Sequence, residues 1–190
     1  MRDGCTMYVL TGGPGVGKTT SIRALEGLGH SVIHEVAREI IEEQLACGGE
    51  ILPWENRISF QREVFARSLS LESRTRSRKG IVFMDRAIPD GIAYYNLEKI
   101  DPPARLLEAA SQGNYYRVFI LEPIYKISNS NYEKDSRENP EVIQYHIFQV
   151  YEGIGYSPVF VPGMSVSDRI RFILGHIHTD EEGEERSWQL

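Results

Sequence analysis

Residues 12 to 20, "GGPGVGKTT", concentrate the residue types that hold a polyphosphate. Anionic oxygens need a concave row of backbone N–H donors. A chain curls that tightly only where side chains are absent, as at Gly12, Gly13, Gly15 and Gly17. Pro14 and Val16 complete the loop, and the chain then enters a helix whose positive end favours negative charge. Lys18, read as exposed on the loop, has the reach to meet the β- and γ-phosphates as a point charge. The Thr19 hydroxyl is placed to ligate a magnesium ion bridging the same oxygens, and Thr20 continues the helix. Gly12 to Thr19 therefore reads G-x-x-x-x-G-K-T, a phosphate loop. A dinucleotide loop fails by register, because the third position counted from Gly13 and Gly15 is Lys18.

Two carboxylates are expected at the same sheet edge as this loop. The apolar run "IVFMD" ends on Asp85, where such folds place the carboxylate that holds magnesium, usually through water. The run "HSVIHE" ends on Glu35, which can take the proton of an attacking hydroxyl. Arg86 and Arg38 follow, each suited either to a bidentate grip on phosphate or to ion pairs that tie helices to the sheet. Motor-type hydrolysis is disfavoured, since Arg86 and "AIPD" stand where a water-activating glutamate would follow Asp85. The guanine-reading [NT]-K-x-D box is missing too, because Glu98-Lys99-Ile100-Asp101 has the wrong first residue. Transfer of phosphate to a hydroxyl acceptor fits better. The polar segment 123–139 carries Lys126, Lys134 and Arg137 and reads as a lid, with Arg137 the cation that reaches the phosphates.

The elements that must position these groups are short apolar runs between helical stretches. Strands are expected at residues 8–11, 30–35, 80–85, 116–122 and 157–161, nearly continuously apolar as in a sheet covered on both faces. Their alternation with helices makes the fold α/β, a three-layer arrangement of five parallel strands with helices on both faces. Asp101-Pro102 and Asn139-Pro140 read as helix starts, with Gly113 and Gly153 as the matching stops. Ser165 with Asp168 opens a last helix striped by Ile170, Ile173, Leu174 and Ile177. Residues 36–79 form a long helical insertion between the second and third strands, its second helix striped by Phe60, Val64, Phe65, Leu69 and Leu71. Such an insertion over the carboxyl edge of a sheet is a place for a second substrate pocket. Trp54, in the loop between its helices, either lines that pocket or anchors the core.

Composition bounds the rest. A chain of 190 residues folds as one domain, assigned to residues 1–178, while 179–190 make an acidic tail too poor in apolar residues to fold alone. A net charge of −6 argues against a duplex nucleic-acid partner. Cys5 and Cys47 form no disulfide or metal framework, and no run is apolar enough to span a membrane, so a cytoplasmic location is expected. His176 and His178 lack a third metal ligand and read as the end of a helix.

The segments "YVLTGGPGVGKTT", "HEVAREIIEEQ", "FMDRAIPDGIAYY", "YEKDSREN", "YEGIGYSPVFVP" and "VSDRIRFIL", in that order, resemble the AAA-type family of small predicted P-loop ATPases that includes the TRPL translocation defect protein. More distantly the chain is similar to the nicotinamide riboside kinase domain. The resemblance spans Met7 to Leu174 and implies a kinase-like fold whose phosphate-loop strand is central, flanked by the third and fourth strands. It implies a phosphate loop at Gly12 to Thr20, an E-x-x-R at Glu35 and Arg38, a D-R-x-x-x-D at Asp85, Arg86 and Asp90, and a lid arginine at Arg137. Asp90 joins Glu35, Arg38, Trp54 and Arg86 as a candidate substrate contact. The expected cofactors are ATP (or GTP) and magnesium. The expected activity is phosphoryl transfer to a nucleoside-like or other small hydroxyl acceptor. The alternative is a nucleotide-binding switch or slow NTPase that serves a protein or lipid partner.

Overall fold

The protein is described here as a computed structural model covering residues 4–124 and 139–177. Arg137, Lys126, Lys134, His178 and the tail from residue 179 lie outside the described residues. In chain order the elements are β1 (Cys5–Thr11), α1 (Lys18–Gly27), β2 (Ser31–Ile33), α2 (Val36–Cys47), α3 (Arg57–Arg76) and β3 (Gly80–Asp85). There follow α4 (Ile88–Leu97), α5 (Ala104–Ser111), β4 (Tyr115–Leu121), α6 (Pro140–Gly153), β5 (Val159–Val161) and α7 (Val166–Gly175). The five strands are all parallel in the order β2-β3-β1-β4-β5. The phosphate-loop strand is thus central, between the third and fourth.

Alternation along the strands sorts their side chains onto two faces. Met7, Val9, Val82 and Met84 pack with α4, α5 and α6, while Tyr8, Leu10, Phe83 and Phe119 pack with Ile22 and Leu25 of α1 and Ile170 and Ile173 of α7. Because both faces are covered, the strands carry apolar residues at nearly every position. The helix after β1 packs on one face and those after β3 on the other, so the strand connections diverge between these two neighbours. That divergence opens a crevice at their carboxyl ends, where open α/β sheets bind ligands. Gly12 follows β1 and Asp85 ends β3, so loop and carboxylate flank this crevice.

Caps locate most boundaries as expected. The Asn139 side chain accepts from the Glu141 N–H at 3.0 Å and Ser165 from the Asp168 N–H at 3.2 Å, each satisfying an orphan donor of the first turn. His176 closes α7, with Nδ1 2.7 Å from the Phe172 carbonyl oxygen. Asp101 does not cap α5, which starts at Ala104 after Pro103. Two successive prolines hold the chain extended there, since the residue before a proline avoids the helical region. β2 stops at Ile33, so Glu35 does not end the strand; it is the residue preceding α2.

Candidate functional site

Close packing of backbone shapes the phosphate loop. A side chain at Gly13 would run into the Pro140 carbonyl at the start of α6. Gly17 adopts φ 90°, which glycine tolerates, and a Cβ there would sit 3.1 Å from a guanidinium nitrogen of Arg169. Arg169 is fully buried: Nη1 donates to the Val16 carbonyl at 2.5 Å, Nη2 donates to the Glu122 carbonyl, and Nε has no partner among the described residues. An arginine from α7, remote in sequence, therefore braces the loop from behind.

Lys18 differs from its expected exposure. It is 6% exposed, and its ammonium donates to the loop's own carbonyls, Gly13 at 2.8 Å and Gly12 at 3.2 Å. Burial, then the positive Arg86, pulls its pKa down to about 7 against the favourable pull of Glu35, Asp85 and Asp90. Two buried cations, Lys18 and Arg169, thus face carbonyl oxygens around the loop rather than direct carboxylate partners. Polyphosphate would supply the missing negative charge.

Thr19 and Asp85 meet at the loop. Thr19 Oγ1 donates to Asp85 Oδ2 at 3.3 Å, while Asp85 Oδ1 is buried with no hydrogen-bond partner among the described residues. Burial, then the nearby Glu35, raises the Asp85 carboxyl to about 6. An orphaned carboxylate oxygen beside a threonine hydroxyl fits magnesium, which asks the protein for one or two oxygens and takes the rest from phosphates and water. Among the described residues no cluster of three or more His, Cys, Asp or Glu could hold a metal. Asp85→Asn is expected to weaken magnesium-nucleotide binding by about 10–100-fold, the usual cost of a lost outer-shell partner. Metal-free nucleotide binding should change far less. Titration calorimetry with and without EDTA compares the two, and equal losses would remove Asp85 from the metal.

Arg86 joins the carboxylates. It holds φ 71°, uncommon for a residue with a side chain, and its N–H donates to the Leu10 carbonyl at 3.0 Å. From this turn Nε donates to Glu35 at 2.8 Å and Nη1 to Asp90 at 3.0 Å, and the guanidinium lies 5.6 Å from the Tyr94 ring centroid. Nη2 makes no hydrogen bond among the described residues, so the planar fork keeps donors for a ligand. Burial alone would raise Glu35, but Arg86 and Lys18 outweigh it and hold the carboxyl below its ordinary value. Glu35 thus holds Arg86 through a short charge-assisted hydrogen bond.

Asp90 is engaged differently from a substrate ligand. Its carboxylate accepts from the Thr11 hydroxyl, Arg86, the Ala87 N–H at 3.1 Å and the Tyr151 hydroxyl at 2.7 Å. Four protein donors engage both oxygens of a residue only 3% exposed that also lines the adjoining cavity, so it holds Arg86 from the cavity wall. Arg38 is exposed and lies outside the wall of the adjoining cavity; its N–H donates to the Glu35 carbonyl at 3.2 Å, and its side chain acts on the Glu35 carboxylate as a nearby charge. Trp54 is 61% exposed, which overturns a core anchor, and it does not line the cavity either. Leu52 and Phe60, on either side of it in the sequence, are buried instead.

That cavity, of 460 Å³, lies under the helical insertion. Pro14 of the loop and Glu35, Asp85 and Arg86 form one part of its wall, and α3 supplies another. Sequence reasoning missed three side chains here. Arg169 carried no local signal, and Gln61 and Glu72 looked like ordinary polar helix residues. Glu72 is 1% exposed, accepts from the Ile88 N–H at 3.0 Å and the Tyr115 hydroxyl at 2.7 Å, and so caps α4 from α3.

Among the described residues no helix is long and apolar enough to cross a membrane. No curated protein matches the sequence. Among solved structures, the thymidylate kinase from Ehrlichia chaffeensis superposes with a TM-score of 0.64 at 15% identity, over 90% of this chain and 98% of that one. The NadR protein in complex with NR gives 0.69 at 16% identity, over 97% of this chain and 54% of that one. The deoxyadenosine kinase from M. mycoides gives 0.57 at 16%, over 90% and 97%. At these identities the likeness establishes the fold, the kinase-like P-loop arrangement of a five-stranded parallel sheet between helical layers. The sequence pattern of the AAA domain family runs through residues 7–169, from β1 to the arginine that braces the loop, and the chain belongs to that family.

Proposed function

We propose that the protein is a magnesium-dependent phosphotransferase that moves the γ-phosphate of ATP, or GTP, to a hydroxyl of a small nucleoside-like acceptor. One observation carries this reading: the 460 Å³ cavity shares the wall formed by Glu35, Asp85 and Arg86 with the phosphate loop. A hydrolase needs only water beside the γ-phosphate, whereas a space of this size accommodates an organic acceptor. The two kinases and NadR named above have the same fold, which agrees with this reading without carrying it.

In this scheme the loop N–H groups and Lys18 would hold the phosphates, and Thr19 and Asp85 would hold magnesium, which would offset negative charge on the nucleotide when bound. Arg86, aimed by Glu35 and Asp90, stabilises charge on the transferring group through its remaining donors. Glu35 orients the acceptor hydroxyl and takes little part in proton removal, because its lowered pKa makes it a weak base and a loose transition state asks for little base assistance. Glu35→Gln is therefore expected to slow turnover by about tenfold, below the roughly hundredfold that general-base catalysis usually contributes. A fall beyond that level, at unchanged nucleotide affinity, would make Glu35 the base.

The direct test supplies γ-labelled ATP and a pool of nucleosides to the full chain. A labelled, phosphorylated small product that depends on both acceptor and magnesium supports the assignment. Release of inorganic phosphate alone, unaffected by any acceptor, would overturn it.

A further inference from the structure

The face of α3 that borders the cavity carries four polar side chains, Arg57, Gln61, Ser68 and Glu72. The outer two are satisfied within the protein. Arg57 donates to Glu98 at 2.6 Å and to the Pro53 carbonyl at 3.3 Å, and Glu72 accepts from the Ile88 N–H and Tyr115 as described. The inner two make no hydrogen bond among the described residues. Gln61 is the more telling, because it is only 7% exposed and its open side is the cavity. An amide set in the cavity wall without a protein partner among the described residues keeps its donor and acceptor for whatever occupies the cavity.

An amide has one property that a hydroxyl or a charge lacks. It presents an acceptor and a donor side by side in a plane. Its matching partner is a flat edge carrying a donor and an acceptor at the same spacing, as on adenine or cytosine. The surroundings agree, because Phe60 and Phe65 on α3 and Tyr94 on α4 also line the cavity and offer aromatic faces to a flat ring. A chain-like alcohol would fill the apolar part but leave the amide unpaired.

We propose that Gln61 is a specificity-determining residue that reads the hydrogen-bonding edge of a nucleoside base in this cavity. This rests on the reading of the cavity as the acceptor space, and it adds the class of acceptor and the group that selects it. A site built around such an edge rejects analogues that lack it, because binding one would leave the amide unpaired.

The experiment is calorimetric titration of the full chain, without triphosphate, using adenosine, cytidine, purine riboside (adenosine without its exocyclic amine) and farnesol. Adenosine or cytidine is expected to bind. If it is adenosine, purine riboside should bind about tenfold more weakly or worse; if cytidine, its deaminated counterpart uridine serves as the comparison. Gln61→Leu should erase that difference at an undiminished melting temperature. Gln61→Glu, which keeps the shape and exchanges the donor for an acceptor, serves if the leucine variant does not fold, and should also lose the preference. Wild type binding both members of a pair equally, variants that still discriminate, or farnesol binding with no nucleoside doing so would each overturn the proposal. Labelled phosphate transfer separates the two readings. Transfer to farnesol alone would keep the phosphotransferase and remove Gln61 as a base reader, whereas Gln61-dependent nucleoside binding with no transfer to any acceptor would do the reverse.

Discussion

Replacing Lys18 with methionine is expected to lower affinity for the magnesium nucleoside triphosphate by at least about 100-fold, since hydrogen bonds to charged groups contribute about 1.5–3 kcal/mol each and the ammonium can make two to the phosphates. The same change should leave the ligand-free melting temperature level or higher. The reason for the second half lies in the tertiary structure. Lys18 is buried against the Gly12 and Gly13 carbonyls, and its pKa has fallen to about 7, so the folded protein holds the charged form at a disadvantage. Methionine fills the same length without the charge. The sign of the pH dependence follows: between about pH 7 and the ordinary lysine value of 10.5 the unfolded chain binds more protons than the folded one. Wild-type stability from this group therefore rises as pH rises through that window, and the penalty is fully present below it. The methionine variant should lack that rise. Thermal melts across the window, paired with nucleotide titration, check both halves. A variant that melts markedly lower and binds nucleotide normally would make Lys18 a structural residue.

Asp90→Ala is expected to destabilise the fold by about 3–5 kcal/mol, the usual consequence of removing one partner from a buried ion pair. Four donors lose their acceptor at once: the Thr11 and Tyr151 hydroxyls, the Ala87 N–H and the Arg86 guanidinium. Glu35 would still pair with Arg86, but from one side only, so the guanidinium should lose its fixed aim. Turnover per folded molecule is then expected to fall, with nucleotide affinity nearly unchanged. Asp90→Asn should cost less, because one oxygen can still accept from Thr11 and Arg86. Urea unfolding with the denaturant slope held constant measures the stability change. A loss under 1 kcal/mol with a raised acceptor KM would mean that Asp90 serves the substrate directly.

These two residues show where sequence reading succeeds and where it stops. Gly12 to Thr19 was legible because the spacing of glycines, lysine and threonine encodes a local backbone shape, and local shape needs no knowledge of distant contacts. Asp85 was legible for a similar reason: it closes an apolar run of strand length, and a parallel sheet sends all its strand ends to one edge. The α/β layering followed from apolar runs alternating with helices, and the stripe of Ile170 and Ile173 did face the core. The order of the strands came from family resemblance rather than from periodicity.

Roles set by contact across long sequence separations belonged to the tertiary structure. Arg169 sits in an ordinary helical pattern, and its partners are backbone carbonyls of Val16 and Glu122, which every residue possesses and no sequence marks. Lys18 looked exposed because lysine usually is, and only the packed crevice buries it. Asp90 was named through family resemblance alone, and no sequence pattern marks the hydroxyls from β1 and α6 that engage its oxygens. Trp54 looked like a core or pocket residue by type, yet its loop turns it to solvent. The chain thus writes its phosphate chemistry into local spacing, while packing determines which polar groups remain free to meet a substrate, because freedom is what is left after every other donor and acceptor has found its partner.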